Sequence, residues 1–395
     1  MKKRSSLPLV PILVLSTLLA SVALAQGEQW LQYRSASEAR QIIPSMGYKM
    51  VQPLTARPEG IKLPELKSDK PLFVEWKTPM VASGKIWMGF DKSNPKGQYD
   101  RLYLDANGNG DLSDDPVCQP YRRESDQSYF GPVKVVFESS DGPITYHLNL
   151  QLYSDPGRMY CLMTPGGWYE GQITIGGAKK RCTLIDRNVN GAFSDKSSNY
   201  MESDRIQIGE QTAEEAPAVG NFVEVDNKLY KIEIPRDGAC ITLSEAKDVS
   251  FGAVRLADTI ATVMVSGENG SFVRKPENGL IKLPVGDYVV NSWSVARKDT
   301  TGARWEIKAM LLPGEGRGGL TVVQDKEGSL PIGEPIYSRV SVSKSGSTYS
   351  FVQRLEGRQG ERITLTRNGS QPPAPKMRIR NREGTFDRSL TSEYG

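Results

Sequence analysis

Thr145-Tyr146-His147-Leu148-Asn149-Leu150-Gln151-Leu152-Tyr153 alternates apolar and polar residues. Successive side chains of a strand point to opposite faces, so Tyr146, Leu148, Leu150 and Leu152 share one face. Thr145, His147, Asn149 and Gln151 share the other. The stretch reads as a half-buried strand with His147 on its solvent side. Similar runs recur on both sides of it, separated by Gly, Asn, Asp and Pro. They place strands at 72–76, 85–90, 101–104, 133–138, 159–163 and 168–175. Later strands are expected at 229–234, 259–265, 286–295, 304–311, 321–323, 338–342 and 362–366. Helical spacing is confined to the N-terminal side. There Trp30, Leu31, Ala36, Ala39, Ile42 and Ile43 predict a short helix within 29–46, ended by Pro44-Ser45-Met46-Gly47. A connector with Pro53, Pro58, Pro64 and Pro71 follows. The chain is therefore expected to be mainly β, in a central antiparallel unit over 71–245 and a sandwich over 246–395.

Two loops inside the central unit carry the chemistry. Asp105-Ala106-Asn107-Gly108-Asn109-Gly110-Asp111-Leu112-Ser113-Asp114 and Asp186-Arg187-Asn188-Val189-Asn190-Gly191-Ala192-Phe193-Ser194-Asp195 share the pattern D-x-N-x-N-G-x-(Leu/Phe)-S-D. Calcium takes six to eight oxygens, and an EF-hand-type loop supplies side-chain oxygens from positions 1, 3 and 5. It turns on a glycine at position 6 and adds a backbone carbonyl at position 7. Asp105, Asn107 and Asn109 fill those side-chain positions in the first loop; Asp186, Asn188 and Asn190 fill them in the second. Asp111 and Ala192 stand at position 7. The bidentate Glu of position 12 is missing, since Pro116 and Ser197 stand there. Asp114 and Asp195, at position 10, are the expected substitutes, with Asp115 a second option in the first loop. Asn in place of Asp lowers the ligand charge, which points to weak affinity of the extracellular range. The first loop keeps more carboxylates and is expected to bind more tightly. The competing reading is a metal-free turn, because Asn and Gly tolerate φ > 0.

The N-terminus fits export. Lys2, Lys3 and Arg4 precede an apolar run, and Ala23-Leu24-Ala25 gives a small-x-small cleavage pattern, so residues 1–25 read as a signal peptide. No later stretch is long and apolar enough for a transmembrane helix. Export permits disulfides, and Cys118, Cys161, Cys182 and Cys240 allow three pairings, of which Cys118 with Cys182 would tie the two loops. Removing the leader takes the formal charge from +4 to about +1, which gives no basis for nucleic-acid binding. Residues 354–388 are locally basic, with nine Lys/Arg against four Asp/Glu. They read as a solvated face that could touch an anionic envelope or glycan surface.

Gly279-Leu280-Ile281-Lys282-Leu283-Pro284-Val285-Gly286-Asp287-Tyr288 resembles the Pro-x-Gly turn of carboxypeptidase-regulatory-like and transthyretin-like (Ig-like) β-sandwiches. The resemblance implies a strand over 288–295 with Val289, Trp293 and Val295 on one face. As a whole, the layout resembles exported bacterial proteins that carry EF-hand-like or dockerin-like loops beside Ig-like domains. That resemblance implies secretion and calcium binding. Dockerin repeats place a helix after each loop and an acid at position 12, and this chain does neither, so cohesin binding is not implied.

Catalytic signals are sparse. A single histidine, His147, leaves no histidine-rich zinc site, and no G-x-S-x-G elbow is present. Gly314-Glu315-Gly316-Arg317-Gly318-Gly319 matches G-x-G-x-x-G by letter but leads into a strand-like run, where a phosphate cradle needs a helix. Trp76, Trp87, Trp168, Tyr169 and Trp305 could stack on sugars, with Gly166-Gly167-Trp168-Tyr169 the most loop-like. The expectation is a non-catalytic, exported, calcium-binding protein that serves as an adhesion or structural module. The alternative is a secreted polysaccharide-acting enzyme with paired carboxylates and structural calcium.

Overall fold

A computed structural model describes residues 27–36, 47–155, 157–210, 216–311 and 319–393. Every regular element among them is a strand. The alternating stretch lies in Ile144–Asp155, whose buried face is Tyr146, Leu148, Leu150 and Leu152. It is the middle of a five-stranded sheet ordered Lys49–Val51, Arg158–Pro165, Ile144–Asp155, Gln127–Phe137 and Arg122–Arg123. The hairpin Leu72–Lys77 and Lys85–Asp91 continues into Arg101–Leu104 as a three-stranded antiparallel sheet. A four-stranded sheet runs Gln32–Ser35, Gly167–Ile175, Ala178–Ile185 and Arg205–Ile208. Another joins Gln29–Trp30, Cys240–Glu245, Lys228–Glu233 and Phe222–Val225. These four sheets share one apolar core that includes Trp76, Phe90, Phe130, Phe137, Tyr146 and Phe193. Each such side chain, fully removed from water, contributes roughly 1.5–3 kcal/mol.

A second core, which includes Val254, Phe272, Tyr288 and Trp293, belongs to the C-terminal strands. Its main sheet is built on Gly286–Lys298, which pairs with Thr262–Gly267, Arg304–Met310 and Gly319–Val322. The Pro-x-Gly turn is present: Leu280–Pro284 ends there, and Gly286, at φ 153°, opens the long strand. The Tyr288 hydroxyl donates back to the Pro284 carbonyl at 2.9 Å and fixes the turn.

Three expectations are corrected. Among the described residues the N-terminal helix is absent. Gln29–Trp30 pairs with Ile241 and Cys240, and Gln32–Ser35 pairs with Glu170 through Gly167. Pairing with distant strands overrides a local helical spacing in so short a segment. Residues 37–46 of that expected helix, and the leader, lie outside the described residues. The inward face of Gly286–Lys298 also differs. Tyr288, Val290, Trp293 and Val295 are buried while Val289 is half-buried. A register shift opposite Met264 and Val265 adds a residue at Asn291 and reverses the alternation. Finally, all four cysteines are free thiols, so no bridge ties the loops.

Candidate functional site: two matched loops

Each loop leaves the end of an apolar strand. Leu102-Tyr103-Leu104 delivers Asp105, and Leu184-Ile185 delivers Asp186. Past each loop the chain turns back onto that strand: Cys118 bridges Leu102, and Arg205–Ile208 pairs with Ile185 through Cys182. The apolar residue at position 8, Leu112 or Phe193, is buried and anchors the loop's far side.

The internal hydrogen bonds match position by position. Asp105 Oδ1 accepts the Asn109 N–H at 3.0 Å, and its Oδ2 accepts the Gly110 N–H at 3.0 Å. Asp186 Oδ1 accepts the Asn190 N–H at 3.3 Å, and its Oδ2 accepts the Gly191 N–H at 2.7 Å. Asn109 Oδ1 accepts the Asp111 N–H and Asn190 Oδ1 the Ala192 N–H, at 2.7 and 2.8 Å. The same two amides donate through Nδ2 to Asp114 and Asp195, at 2.8 and 2.7 Å. The backbone also agrees. Position 4 has φ 73° at Gly108 and 56° at Val189, and position 6 has φ 84° at Gly110 and 89° at Gly191. The side chains of positions 1, 5 and 10 are thus held by the same set of bonds in both loops.

The fold brings the two loops to one end of the first core. The turn between Leu72–Lys77 and Lys85–Asp91 touches both: a Cβ at Gly108 would meet the Val81 side chain, and one at Gly191 would meet Met80. The end of Gln127–Phe137 does the same. Val136 donates to the Ala106 carbonyl at 3.0 Å, and the Phe137 ring lies against Gly191.

Their surroundings separate them. Asn107, Asn109, Ser113 and Asp114 are exposed in the first loop, and only Asp105 and Leu112 are deeply buried. Lys62 Nζ reaches Asp111 Oδ2 at 2.7 Å, and this pair, with the Ser113 contacts, holds the Asp111 carboxyl down to about 2. Asp115 accepts the Ala106 N–H at 3.1 Å. Its partial burial and the charges of Asp114, Asp105 and Asp111 push it up to about 6, against the lowering effect of that bond.

In the second loop Asp186, Val189, Ala192 and Phe193 are all buried. Asp186 accepts two further donors, the Val189 N–H at 2.6 Å and the Tyr146 hydroxyl at 2.8 Å. Burial dominates over these bonds and raises its carboxyl to about 6. Asp204 was not singled out from the sequence. It accepts the Arg187 N–H at 3.0 Å and the Asp195 N–H at 2.8 Å, closing the loop from the residue just before the strand Arg205–Ile208. Its burial, with Asp186 and Asp195 nearby, raises its carboxyl well above the usual range. An isolated Ser-Asp-Arg before a strand gives no signal of such a role. Asn188 donates to Asp195 and to the Glu202 carbonyl, while its Oδ1 is buried without a hydrogen-bond partner.

A cation fits this donor set where its oxygens have free lone pairs. An ionised carboxylate has about four acceptor sites. Asp105 uses two of them within the loop, and Asp186 uses four. Among the described residues no three His, Cys, Asp or Glu side chains converge as a metal-holding group. A site here would therefore depend on amide and backbone oxygens, as weak calcium loops do.

The remaining sequence candidates are dispersed. His147 is half-buried, not exposed, and stacks on Tyr33 with ring centroids 5.7 Å apart. Trp76, Trp168 and Tyr169 are buried, so Gly167-Trp168-Tyr169 opens a strand, faces the core and offers no platform for a sugar. The Gly314–Gly318 stretch lies outside the described residues, and Gly319–Val322 follows it as a strand. No helix among the described residues is long and apolar enough to cross a membrane. Comparison with protein-family models, with curated proteins and with solved structures found no match.

Proposed function

We propose that this chain is an exported, non-catalytic, calcium-binding β protein, a structural or adhesion module whose C-terminal strands form an Ig-like sandwich. The observation that carries this reading is the position-by-position match of two D-x-N-x-N-G loops in hydrogen bonds and backbone angles. A duplicated metal loop accounts for a match that extends to the carboxylate at position 10. In the first loop Asp105, Asn107, Asn109 and Asp114 would hold the ion with the Asp111 carbonyl. In the second, Asp186, Asn188, Asn190 and Asp195 would do so with the Ala192 carbonyl. The unpartnered Asn188 oxygen supports a second ion, whereas the saturated Asp186 carboxylate makes that ion the weaker one. Calcium would tie the two loops to the Met80–Val81 turn between them.

The test is a thermal melt of the chain from Gln26 onward, which contains every described residue, in EGTA and in millimolar calcium. A ligand at one hundred times its dissociation constant stabilises the fold by about 2.7 kcal/mol. A rise of several degrees is expected with calcium and not with magnesium. Asp105→Ala should remove most of that rise and Asp105→Ala/Asp186→Ala all of it. A double variant that shifts as far as the unaltered chain would reduce both loops to turns.

A further inference from the structure

Charge is divided unevenly along this chain. Residues 337–393 hold eleven Lys/Arg against five Asp/Glu, while residues 26–336 hold thirty-six against forty-one. The basic part is also the least buried. Its first hairpin, Tyr337–Ser345 with Thr348–Glu356, joins the main C-terminal sheet, among the described residues, only through the Glu356–Arg362 pair at its base. Cross-strand register puts Val340, Val342, Tyr349, Phe351 and Leu355 on one face. The other face is mostly Ser, Thr and Arg. Val342 and Tyr349 are each 56% exposed and Val340 is exposed with them, so the tip half of the apolar face is open to solvent, while Phe351 and Leu355 are half-buried. Lys344, at the tip, lies over the Tyr349 ring at 5.3 Å.

The last hairpin, Lys376–Arg380 with Asp387–Thr391, repeats the arrangement. Met377, Ile379 and Leu390 share one face, and Lys376, Arg378 and Arg380 share the other. Arg378 is paired with Asp387, and Arg382 and Arg388 add further cations. An isolated two-stranded ribbon is marginal in water, and one with an uncovered apolar face needs a partner.

We propose that these two hairpins dock on an anionic lipid bilayer, with their apolar faces seated at the headgroup boundary and their Lys and Arg side chains on lipid phosphates. Each ribbon has an apolar face that carries one cation, Lys344 or Arg388, and a second face that carries the others. Such an amphipathic, basic element matches the interfacial zone of a bilayer, which offers acyl chain beside negative charge. The acidic body of a second copy offers the charge but no acyl chain. This docking does not depend on calcium.

Co-sedimentation of the chain from Gln26 onward, in EGTA, tests it with vesicles of phosphatidylglycerol and phosphatidylcholine against vesicles of phosphatidylcholine alone. Binding is expected to the first and not the second. Each basic residue near an anionic surface contributes about a fivefold gain in partitioning. Lys376→Glu/Arg380→Glu/Arg382→Glu should therefore lower it by more than about a hundredfold while leaving the melt unchanged. Val342→Ser/Tyr349→Ser should lower it several-fold at constant charge. Equal binding to both vesicles, binding to neither, or a charge-reversed variant that binds like the parent would each overturn the proposal. So would a dimer in lipid-free solution that Val342→Ser/Tyr349→Ser dissociates, since the apolar face would then belong to a second copy.

Discussion

Position 4 of the first loop is Gly108 and of the second Val189, yet both take positive φ, 73° and 56°. Glycine adopts that conformation freely, whereas a β-branched residue there is strained. What holds Val189 in place is its setting. The side chain is fully buried, the N–H donates to Asp186, and the carbonyl accepts Trp76 Nε1 at 2.7 Å. One backbone is thus maintained in two ways. The first loop keeps it through intrinsic turn preference at an exposed rim. The second keeps it through core packing, Tyr146 and Asp204. A loop held by its own turn residues has carboxylate lone pairs left for an ion, and a loop held by its neighbours has used them.

Removing position 1 should separate the two loops most. Asp186→Ala would orphan the Val189 and Gly191 N–H groups and the Tyr146 hydroxyl in a buried site. Stranding several buried donors outweighs the relief of an unfavourable buried charge, so the fold should lose about 3 kcal/mol in chemical denaturation, with or without calcium. Asp105→Ala should cost less in EGTA and act mainly through calcium. Equal losses in EGTA would show that the two loops are supported alike.

Most of the β architecture was legible because strand alternation survives wherever one face is buried, as in Ile144–Asp155. The loops were legible because Asn, Asp and Gly have specific backbone preferences at fixed offsets. The rest depends on long-range partners. Gln29–Trp30 and Gln32–Ser35 became strands only because Cys240–Glu245 and Gly167–Ile175 offered edges to them. Asp204, just before Arg205–Ile208, and Tyr146, in Ile144–Asp155, reach the second loop from about 20 and 40 residues away in sequence, which no local pattern encodes. The bulge at Asn291 is similarly a product of pairing, and it reversed the expected face of a correctly placed strand.

Tyr146→Phe sharpens the contrast from the other side. It deletes one buried donor to Asp186 and little else, at a cost of about 1–2 kcal/mol in EGTA. It also frees an acceptor site on Asp186 Oδ2, so the calcium-induced rise in melting temperature should exceed that of the parent chain. A smaller rise would mean that the Tyr146 hydroxyl orients the carboxylate for the ion.

Asp115 gives a pH test of the first loop. Its carboxyl is raised to about 6 in the fold, so the protonated form is the favoured one. Its contribution is full below the unfolded value of about 4 and is lost as pH rises through about 6. In EGTA, Asp115→Asn should therefore gain on the parent chain between pH 5 and pH 7. Calcium should remove that gain by offsetting the negative charges of Asp105, Asp111 and Asp114. A gap between the two chains that does not change with pH would leave Asp115 without a titrating role.

The smallest effect is expected at Lys62, whose side chain is 71% exposed and whose ammonium lies 2.7 Å from Asp111 Oδ2. Lys62 is the cation paired with a carboxylate of the first loop, and position 7 of the second loop has no such pair, since Ala192 replaces Asp111 there. Solvent screens so exposed a pair. Lys62→Met should accordingly leave the melt in EGTA nearly unchanged. It should tighten calcium binding at the first loop by about two- to fivefold, read by titration calorimetry at low salt and fading at high salt. The backbone bonds of residue 62, from its N–H to the Gly110 carbonyl and from the Leu112 N–H to its own carbonyl, persist in the variant. They make the substitution a change of charge without a change of loop shape. Weaker binding would show that Lys62 supports the loop electrostatically, holding Asp111 away from the other carboxylates, and would reverse the order of the two sites.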